Sequence, residues 1–324
     1  MIEQRRISSR SLRSRLLSAL LRWRLKPRLT GEYFDPPRFR AWLERNNAGR
    51  KTCPGVDIRA VAAGEIPGEW HVPGNAHPKH CLLYLHGGGY LFGSPRTYRV
   101  FTTRLAHLSG CALFSLDYRL APEAPFPAAV DDALAAYRWL LQRYPAKGIV
   151  LAGDSAGGGL ALALLHALKQ ADLPLPSGAA LLSPYTDLLA TGASLERNSP
   201  SCAMFDATAI RRAAAIYLAG QDGASPLASP LYGDCSGFPP IQIQVSDNEV
   251  LLDDSLRLAE RLDQAGVDVQ LAIWKGQPHV WPIFYPLIPE ARRSLDDMAG
   301  FAHACWQRHP QPVNVPTHAR ELAG

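Results

Sequence analysis

The sequence lacks several patterns that define whole classes of protein. It has six cysteines in 324 residues, and no two are spaced as C-x-x-C, which excludes a zinc ribbon and a thioredoxin-type motif. No run of about 18 apolar residues occurs, so no transmembrane helix is predicted. No G-x-x-x-x-G-K-[ST] motif occurs, which argues against a P-loop nucleotide site. Few, scattered cysteines are typical of reduced thiols, and we expect a cytoplasmic protein.

Acidic residues are scarce at one end of the chain. Residues 1–28 hold eight arginines and one lysine against a single glutamate, a charge of +8, whereas the whole chain carries +5. The remainder therefore has a net charge of −3, the difference between +5 and +8. Because the main body is not basic, we expect no nucleic-acid partner.

The basic end has the pattern of an amphipathic helix, SLRSRLLSALLRWRL, with Leu12, Leu16, Leu20 and Trp23 on one face. Leu17 and Leu21 widen that stripe. Its apolar part, LLSALL, is too short for a secretory signal. We expect the leucine stripe to pack on the main body. Contact with a membrane surface is the alternative.

From residue 80 onward, short apolar runs alternate with helical patterns of roughly 12–18 residues, which predicts βαβ units and an α/β fold with a mostly parallel sheet flanked by helices. Residues 187–225 break this alternation and suggest an insertion over the carboxyl ends of the strands. We therefore predict N-terminal cap helices in 1–50, a catalytic domain in 51–186 and 226–324, and a cap insertion in 187–225. The tail from residue 309 has an irregular pattern.

The segment GDSAG, residues 153–157, follows the apolar strand GIVLA and precedes an apolar helix. That context is the one a G-x-S-x-G nucleophile elbow requires, and it predicts Ser155 as a nucleophile at a helix N-terminus. The alternative is a tight glycine-rich turn in which Ser155 only caps the helix.

The segment HGGGY, residues 86–90, follows the apolar strand CLLYL. Consecutive glycines can present backbone N–H groups to an oxyanion, so we predict Gly88, Gly89 and the amide of Ala156 as its donors. His86 is predicted to brace the loop. The alternative for the glycines is a flexible loop.

Six motifs follow one another along the chain: HGGGYLFGS, DYRLAPEAPFPAAVDD, GDSAGGGLA, SPYTDL, EVLLDD and GQPHVW. In the order of these motifs the chain resembles the hormone-sensitive-lipase-like esterases, the bacterial family IV carboxylesterases. The resemblance runs from about Leu82 to Trp281. It implies an α/β-hydrolase fold with a helical cap, a Ser–acid–His triad, short acyl esters as substrates and no metal.

The base of such a triad follows the nucleophile in the chain. His279 lies in the loop GQPHVW after the apolar strand VDVQLAIW, and we predict it as the base. The acid is less clear. Laying EVLLDD on the family's D-P-L-x-D-E pattern places Glu249 where the aspartate stands, a departure from that pattern. Asp247 is the rival acid.

Side chains near the expected mouth of the site are predicted to shape the substrate pocket; they are Tyr90, Phe92, Tyr185, Met204 and Phe205. The last two, in the insertion, have packing within the cap as an equal alternative. His71, His77 and His80 lack ligand spacing, so we expect no metal, and we expect no cofactor.

The sequence therefore predicts a serine carboxylesterase that hydrolyses short-to-medium acyl esters, with a small-molecule ester as its partner. An amidase or a lactonase on the same fold is an alternative, and so is a small-molecule receptor without catalysis. Whether the protein forms a homodimer is left open.

Overall fold

The computed structural model describes residues 2–309 except 62, 63 and 65, so the predicted irregular tail lies almost entirely outside the described residues. The strands of the described part are β1 Ile2–Ile7, β2 Val56–Ala60, β3 Gly68–Pro73, β4 His77–Leu85, β5 Cys111–Leu116, β6 Ile149–Asp154, β7 Gly178–Leu182, β8 Ile241–Ser246 and β9 Val269–Trp274. Its α-helices are α1 Leu12–Arg24, α2 Lys26–Thr30, α3 Pro36–Asn47, α4 Pro95–Ser109, α5 Ala128–Leu141, α6 Ala156–Gln170, α7 Ser194–Asn198, α8 Ala207–Leu218, α9 Leu252–Gln264 and α10 Pro289–Gln307.

All strands of the described chain join one sheet in the order β1-β9-β8-β7-β6-β4-β5-β3-β2. From β1 to β5 in that order, neighbouring strands are parallel, and only the pairs β3–β5 and β2–β3 are antiparallel. Helices connect the parallel strands and cover both faces. This is the mostly parallel, helix-covered sheet that the sequence pattern predicts, and it agrees with the α/β-hydrolase fold that the resemblance implies.

The central strands are buried along their whole length because both faces of the sheet are covered. Every residue of β5, β6, β7 and β8 is buried, and so is α6 from Ala156 to Leu168. Such strands read as continuous apolar runs rather than as alternating patterns. The carboxyl ends of β4 and β6 carry the HGGGY and GDSAG loops side by side, since Leu85 pairs with Gly153.

The first strand corrects the predicted domain bounds. Residues 2–7, placed by sequence in a helical segment 1–50, form β1 and extend the sheet parallel to β9, with Ile2 opposite Val269 and Ile7 opposite Trp274. The segment IEQRRI carries apolar residues only at its two ends, so its charge obscures the strand. The edge of β9 supplies the backbone hydrogen-bond partners of β1, and the residue pattern of β1 alone does not predict this pairing.

Helices α1 to α3 lie against the insertion. Arg212 of α8 donates through Nη1 to the Gly31 carbonyl at 2.6 Å and through Nη2 to the Leu29 carbonyl at 2.5 Å. Leu21 of α1 packs with Ala203 and Met204. The two segments predicted as cap parts thus contact each other directly.

The expected packing of the leucine stripe is wrong for its four central residues, whereas Leu17 and Leu21, which widen the stripe in the sequence, do pack on the protein. Leu12, Leu16, Leu20 and Trp23 are between 52% and 71% exposed. The helix instead buries the opposite face, whose members are Ser14, Ser18 and Leu21. Its polar contacts decide the orientation: the Ser14 hydroxyl donates to Gln277 Oε1 at 2.6 Å, with both residues buried.

In the described part of the chain, none of the helices combines the length and the apolar character that a membrane span requires. All six cysteines are free, and all but Cys53 are buried.

Candidate active site

Ser155 occupies a sharp turn between β6 and α6. Its backbone angles are φ 51° and ψ −121°, a strained conformation for a residue with a side chain. Three backbone hydrogen bonds hold it there: its N–H donates to the Leu182 carbonyl at 2.8 Å, and its carbonyl accepts from Tyr185 at 2.9 Å and from Gly159 at 3.0 Å. The serine remains 8% exposed at the start of the helix.

Close packing explains one glycine of the elbow. A Cβ on Gly157 would lie 2.0 Å from the Leu85 carbonyl oxygen, which no side chain tolerates. The glycine therefore lets α6 begin directly beside the end of β4. That approach places the amide end of the helix next to the HGGGY loop.

The HGGGY loop bends so that two amides stay unused. Gly88 has φ 119°, and a Cβ there would lie 2.0 Å from the Phe92 carbonyl oxygen, so only glycine fits. Neither the Gly88 N–H nor the Gly89 N–H donates to any described residue. The Ala156 N–H opens α6, where helix geometry leaves it without an intrahelical partner. Free amides of this kind can stabilise an oxyanion.

Asp154 ties the elbow to the glycine loop. Its Oδ1 accepts from the Gly87 N–H at 2.8 Å and from the Tyr84 hydroxyl at 2.6 Å, and its Oδ2 accepts from the Tyr98 hydroxyl at 2.9 Å. Burial raises the pKa of Asp154, and these three donors act against that rise. The carboxyl group thus fixes the loop relative to Ser155 from beneath.

His86 lies in the position of a brace. The fully buried ring stacks on Tyr118 at a centroid distance of 4.3 Å, and its Nδ1 lies 2.9 Å from the Gly87 carbonyl oxygen. Burial lowers the pKa of His86 to about 4, so the ring is neutral near pH 7. Tyr118 also donates its hydroxyl to the His86 carbonyl at 2.6 Å.

His279 and Glu249 meet, although 30 residues separate them in the chain. His279 Nδ1 lies 3.3 Å from Glu249 Oε2, and the two side chains are 2% and 0% exposed. Glu249 Oε2 also accepts from the Ser183 hydroxyl at 3.0 Å. His279 Nε2 is buried and has no hydrogen-bond partner among the described residues, and its residue lines the same cavity as Ser155.

Asp247 points elsewhere. It is exposed, and its Oδ1 accepts from the Gly276 N–H at 2.7 Å, which fixes the loop between β9 and His279. The structure therefore brings Glu249, and not Asp247, to the imidazole of His279.

Ser155 lines two cavities. The larger, about 660 Å³, is lined mostly by apolar side chains and includes Gly88, Ser155 and His279. The smaller, about 30 Å³, lies beside Gly89 and is closed by Ala209, Ile210 and Ala213. The glycine loop thus contributes one residue to each cavity.

The predicted pocket residues divide between these spaces. Phe92 and Phe205 line both cavities, Met204 lines the larger and Tyr185 the smaller. Phe205 also stands edge-on to His279, with ring centroids 5.4 Å apart. Tyr90 lines neither cavity: it has a positive φ of 63°, is 1% exposed and stacks on Tyr217 at 3.8 Å.

Sequence reasoning missed two residues that hold the acid. Ser183, in the SPYTDL segment directly after β7, donates to Glu249, and Asn198 Nδ2 donates to the Glu249 carbonyl at 2.9 Å. The position of Ser183 at a strand end was a usable signal. Asn198 carried none, since its contact depends on how the insertion folds back.

The histidines that lack ligand spacing are engaged in packing. His77 and His80 stack with centroids 3.8 Å apart, His80 stacks on Trp306, and His71 Nε2 lies 3.4 Å from Glu69. No cluster that could hold a metal ion occurs among the described residues.

Comparison with known proteins places this geometry in context. A family model described as alpha/beta hydrolase fold matches residues 82–283. An acetyl-hydrolase of Streptomyces hygroscopicus is 44% identical over 242 residues, covering 74% of this chain and 81% of that protein. A carboxylesterase/phospholipase of Mycobacterium tuberculosis, LipF, is 35% identical over 315 residues, covering 91% and 82%. The crystal structure of an esterase from the bacterial hormone-sensitive lipase family superposes with a TM-score of 0.86 at 38% identity, covering 92% of this chain and 99% of that one.

Proposed function

This chain belongs to the hormone-sensitive-lipase-like esterases of the α/β-hydrolase fold and is a carboxylic ester hydrolase, and from that premise we propose that it is a serine carboxylesterase working through an acyl-enzyme on Ser155. The observation that carries the proposal is the convergence of three elements on one cavity. Ser155 lies at a helix start, the unpartnered Nε2 of His279 belongs to the same cavity, and free amides of the glycine loop border it.

In the proposed reaction, His279 Nε2 takes the Ser155 hydroxyl proton as the serine oxygen bonds to the ester carbonyl carbon. The carbonyl oxygen becomes negative and accepts from the N–H groups of Gly88, Gly89 and Ala156. His279 then gives its proton to the departing alkoxide, and the alcohol leaves. Water adds to the acyl-enzyme by the same proton transfers and releases the acid.

Glu249 is the proposed acid. Its Oε2 lies 3.3 Å from His279 Nδ1, where a carboxylate fixes the tautomer and stabilises the imidazolium that forms. The departure of this chain from the family's aspartate is tolerable because a glutamate supplies the same charge and the same acceptor. Ser183 and Asn198 compensate for the longer side chain by holding its carboxylate and its backbone.

We propose that residues 8–50 and 187–225 act together as a cap that selects the substrate. Both cavities are closed partly by this cap, the larger by α1 to α3 and the smaller by α8. The smaller cavity suits a short acyl group, and the larger lies in the range of volumes that bind small molecules. The proposed substrates are accordingly short-to-medium acyl esters.

The test is stoichiometric labelling by an organophosphonate ester, read by mass spectrometry as one adduct on Ser155. A panel of esters, lactones and anilides then separates the reaction classes, and we expect esters to react fastest. The absence of an adduct at Ser155 in active protein would overturn the acyl-enzyme proposal.

A further inference from the structure

Helix α1 exposes an apolar face to solvent. Leu12 is 71% exposed, Leu16 63%, Leu20 52% and Trp23 68%. With 3.6 residues per turn, these four residues form one stripe along the outer side of the helix. Four large apolar side chains in a row exceed the scattered exposure that a protein surface ordinarily shows. We call them the α1 stripe.

Arginines border the α1 stripe on both sides. By helical position, Arg13 and Arg24 stand on one flank and Arg15 and Arg22 on the other, and all four are exposed. Arg13 and Arg15 form no salt bridge with any described residue. No acidic residue occurs between Glu3 and Glu32 in the sequence, so nothing in this stretch neutralises the charge.

The α1 stripe also reaches the mouth of the candidate active site. Leu20 belongs to the stripe and also lines the larger cavity, which the flanking Arg24 lines as well. A surface pressed against the stripe therefore lies next to the opening that leads to Ser155.

We propose that helix α1 docks the enzyme on an anionic lipid surface, with the α1 stripe in the acyl region and the flanking arginines among the headgroup phosphates. Apolar area and cationic flanks are the two features by which an interfacial helix binds. A second copy of the chain fits less well, because α1 contains no acid and pairing two stripes would bring arginine rows together. The docked enzyme would draw esters from the lipid phase.

The full-length protein is tested by flotation with vesicles of phosphatidylcholine alone and of phosphatidylcholine with phosphatidylglycerol. We expect binding to the anionic vesicles that weakens as salt rises. Leu16→Gln should lower the partition coefficient about tenfold. Arg13→Gln should lower it about fivefold on anionic vesicles only. Leu189→Gln, at a residue 49% exposed on the insertion, is the matched control and should bind as the wild type does.

Two further measurements keep docking apart from catalysis. Ser155→Ala should bind vesicles as well as the wild type, so loss of the proposed acyl transfer leaves docking intact. Leu16 lines neither cavity, so Leu16→Gln should hydrolyse a water-soluble ester at the wild-type rate. Failure of the wild type to bind anionic vesicles, equal binding by Leu16→Gln, or a stripe-dependent dimer without vesicle binding in analytical centrifugation would each overturn the proposal.

Discussion

The sheet end that carries Ser155 and the cap over it are held by different means. Around Ser155, backbone hydrogen bonds, buried carboxyl groups and close glycine packing fix each atom. In the cap, side chains from α1, α3 and α8 meet across apolar space and leave cavities between them. If the proposed function holds, the chemistry depends mainly on backbone groups, which change little with sequence, and substrate choice depends on side chains that are free to vary.

The largest effect is expected from Ser155→Ala. If the sheet end holds the whole reacting unit, the change should lower kcat by about 10⁶ while leaving the cap and its substrate affinity untouched. Ester hydrolysis and binding of a non-hydrolysable phosphonate diester are measured together, with thermal unfolding as the control for folding. Activity near that of the wild type would place the nucleophile elsewhere.

The second test compares two acids on one loop. Glu249→Ala should lower kcat by about 10⁴, since His279 then loses the carboxylate that orients it. Asp247→Ala is the matched control and should lower kcat no more than about threefold, because Asp247 contacts Gly276 and forms a hydrogen bond with neither Glu249 nor His279. Steady-state kinetics on one ester decide it, and a larger loss at Asp247 would reverse the assignment.

The cap's share in specificity is tested at the smaller cavity. Ala209→Leu fills space beside Gly89 and should lower kcat/KM for ethyl acetate about tenfold. Leu43→Trp fills the larger cavity instead and should penalise octyl acetate relative to ethyl acetate. Kinetics across alkyl acetates and p-nitrophenyl esters of rising acyl length give the readout. Identical profiles for the two variants would mean that the two cavities do not separately bind the acyl group and the alcohol group of the ester.

An effect on stability rather than on rate is expected where the sheet and the insertion join. Asp254 of α9 accepts from the Thr186 and Asp187 amides, and burial raises the pKa of Asp254 to about 7. Between about pH 4 and pH 7 the folded state holds a proton that the unfolded chain has released, so stability is lost as the pH rises, by at most about 1.4 kcal/mol per pH unit.

Asp254→Asn keeps an acceptor for those amides and cannot titrate. Urea unfolding at several pH values should give a difference between wild type and variant that grows from pH 4 to pH 7, with the variant gaining in relative stability. Esterase activity should stay unchanged. A difference that stays flat, or that grows as the pH falls, would show that Asp254 is charged in the folded protein.

The same contrast explains what could be predicted from the sequence. The strand–turn–helix context of GDSAG, the three glycines after β4 and the late loop with His279 are local signals, and each leads to the carboxyl end of the sheet. The fold followed from the alternation of apolar runs and helices. Glu249 needed a comparison of patterns, because nothing local separates it from Asp247.

What escaped prediction depends on surfaces that meet only after folding. The strand character of residues 2–7 arises from the β9 edge, and the direction of the leucine stripe arises from the polar contacts of the other side of α1. Helical periodicity correctly indicates that a helix is amphipathic. It does not say which face meets the protein, and here two serines and one leucine form the inner face.

The bond from Ser14 to Gln277 has a mechanical consequence. Gln277 stands two residues before His279, so the outermost helix is fastened to the segment that carries the imidazole. Breaking this buried hydrogen bond would leave two polar groups without a partner and away from water, which costs about 1–3 kcal/mol of stability. We therefore expect a displacement of α1 to shift the segment that carries His279, and a shift of that segment to move α1.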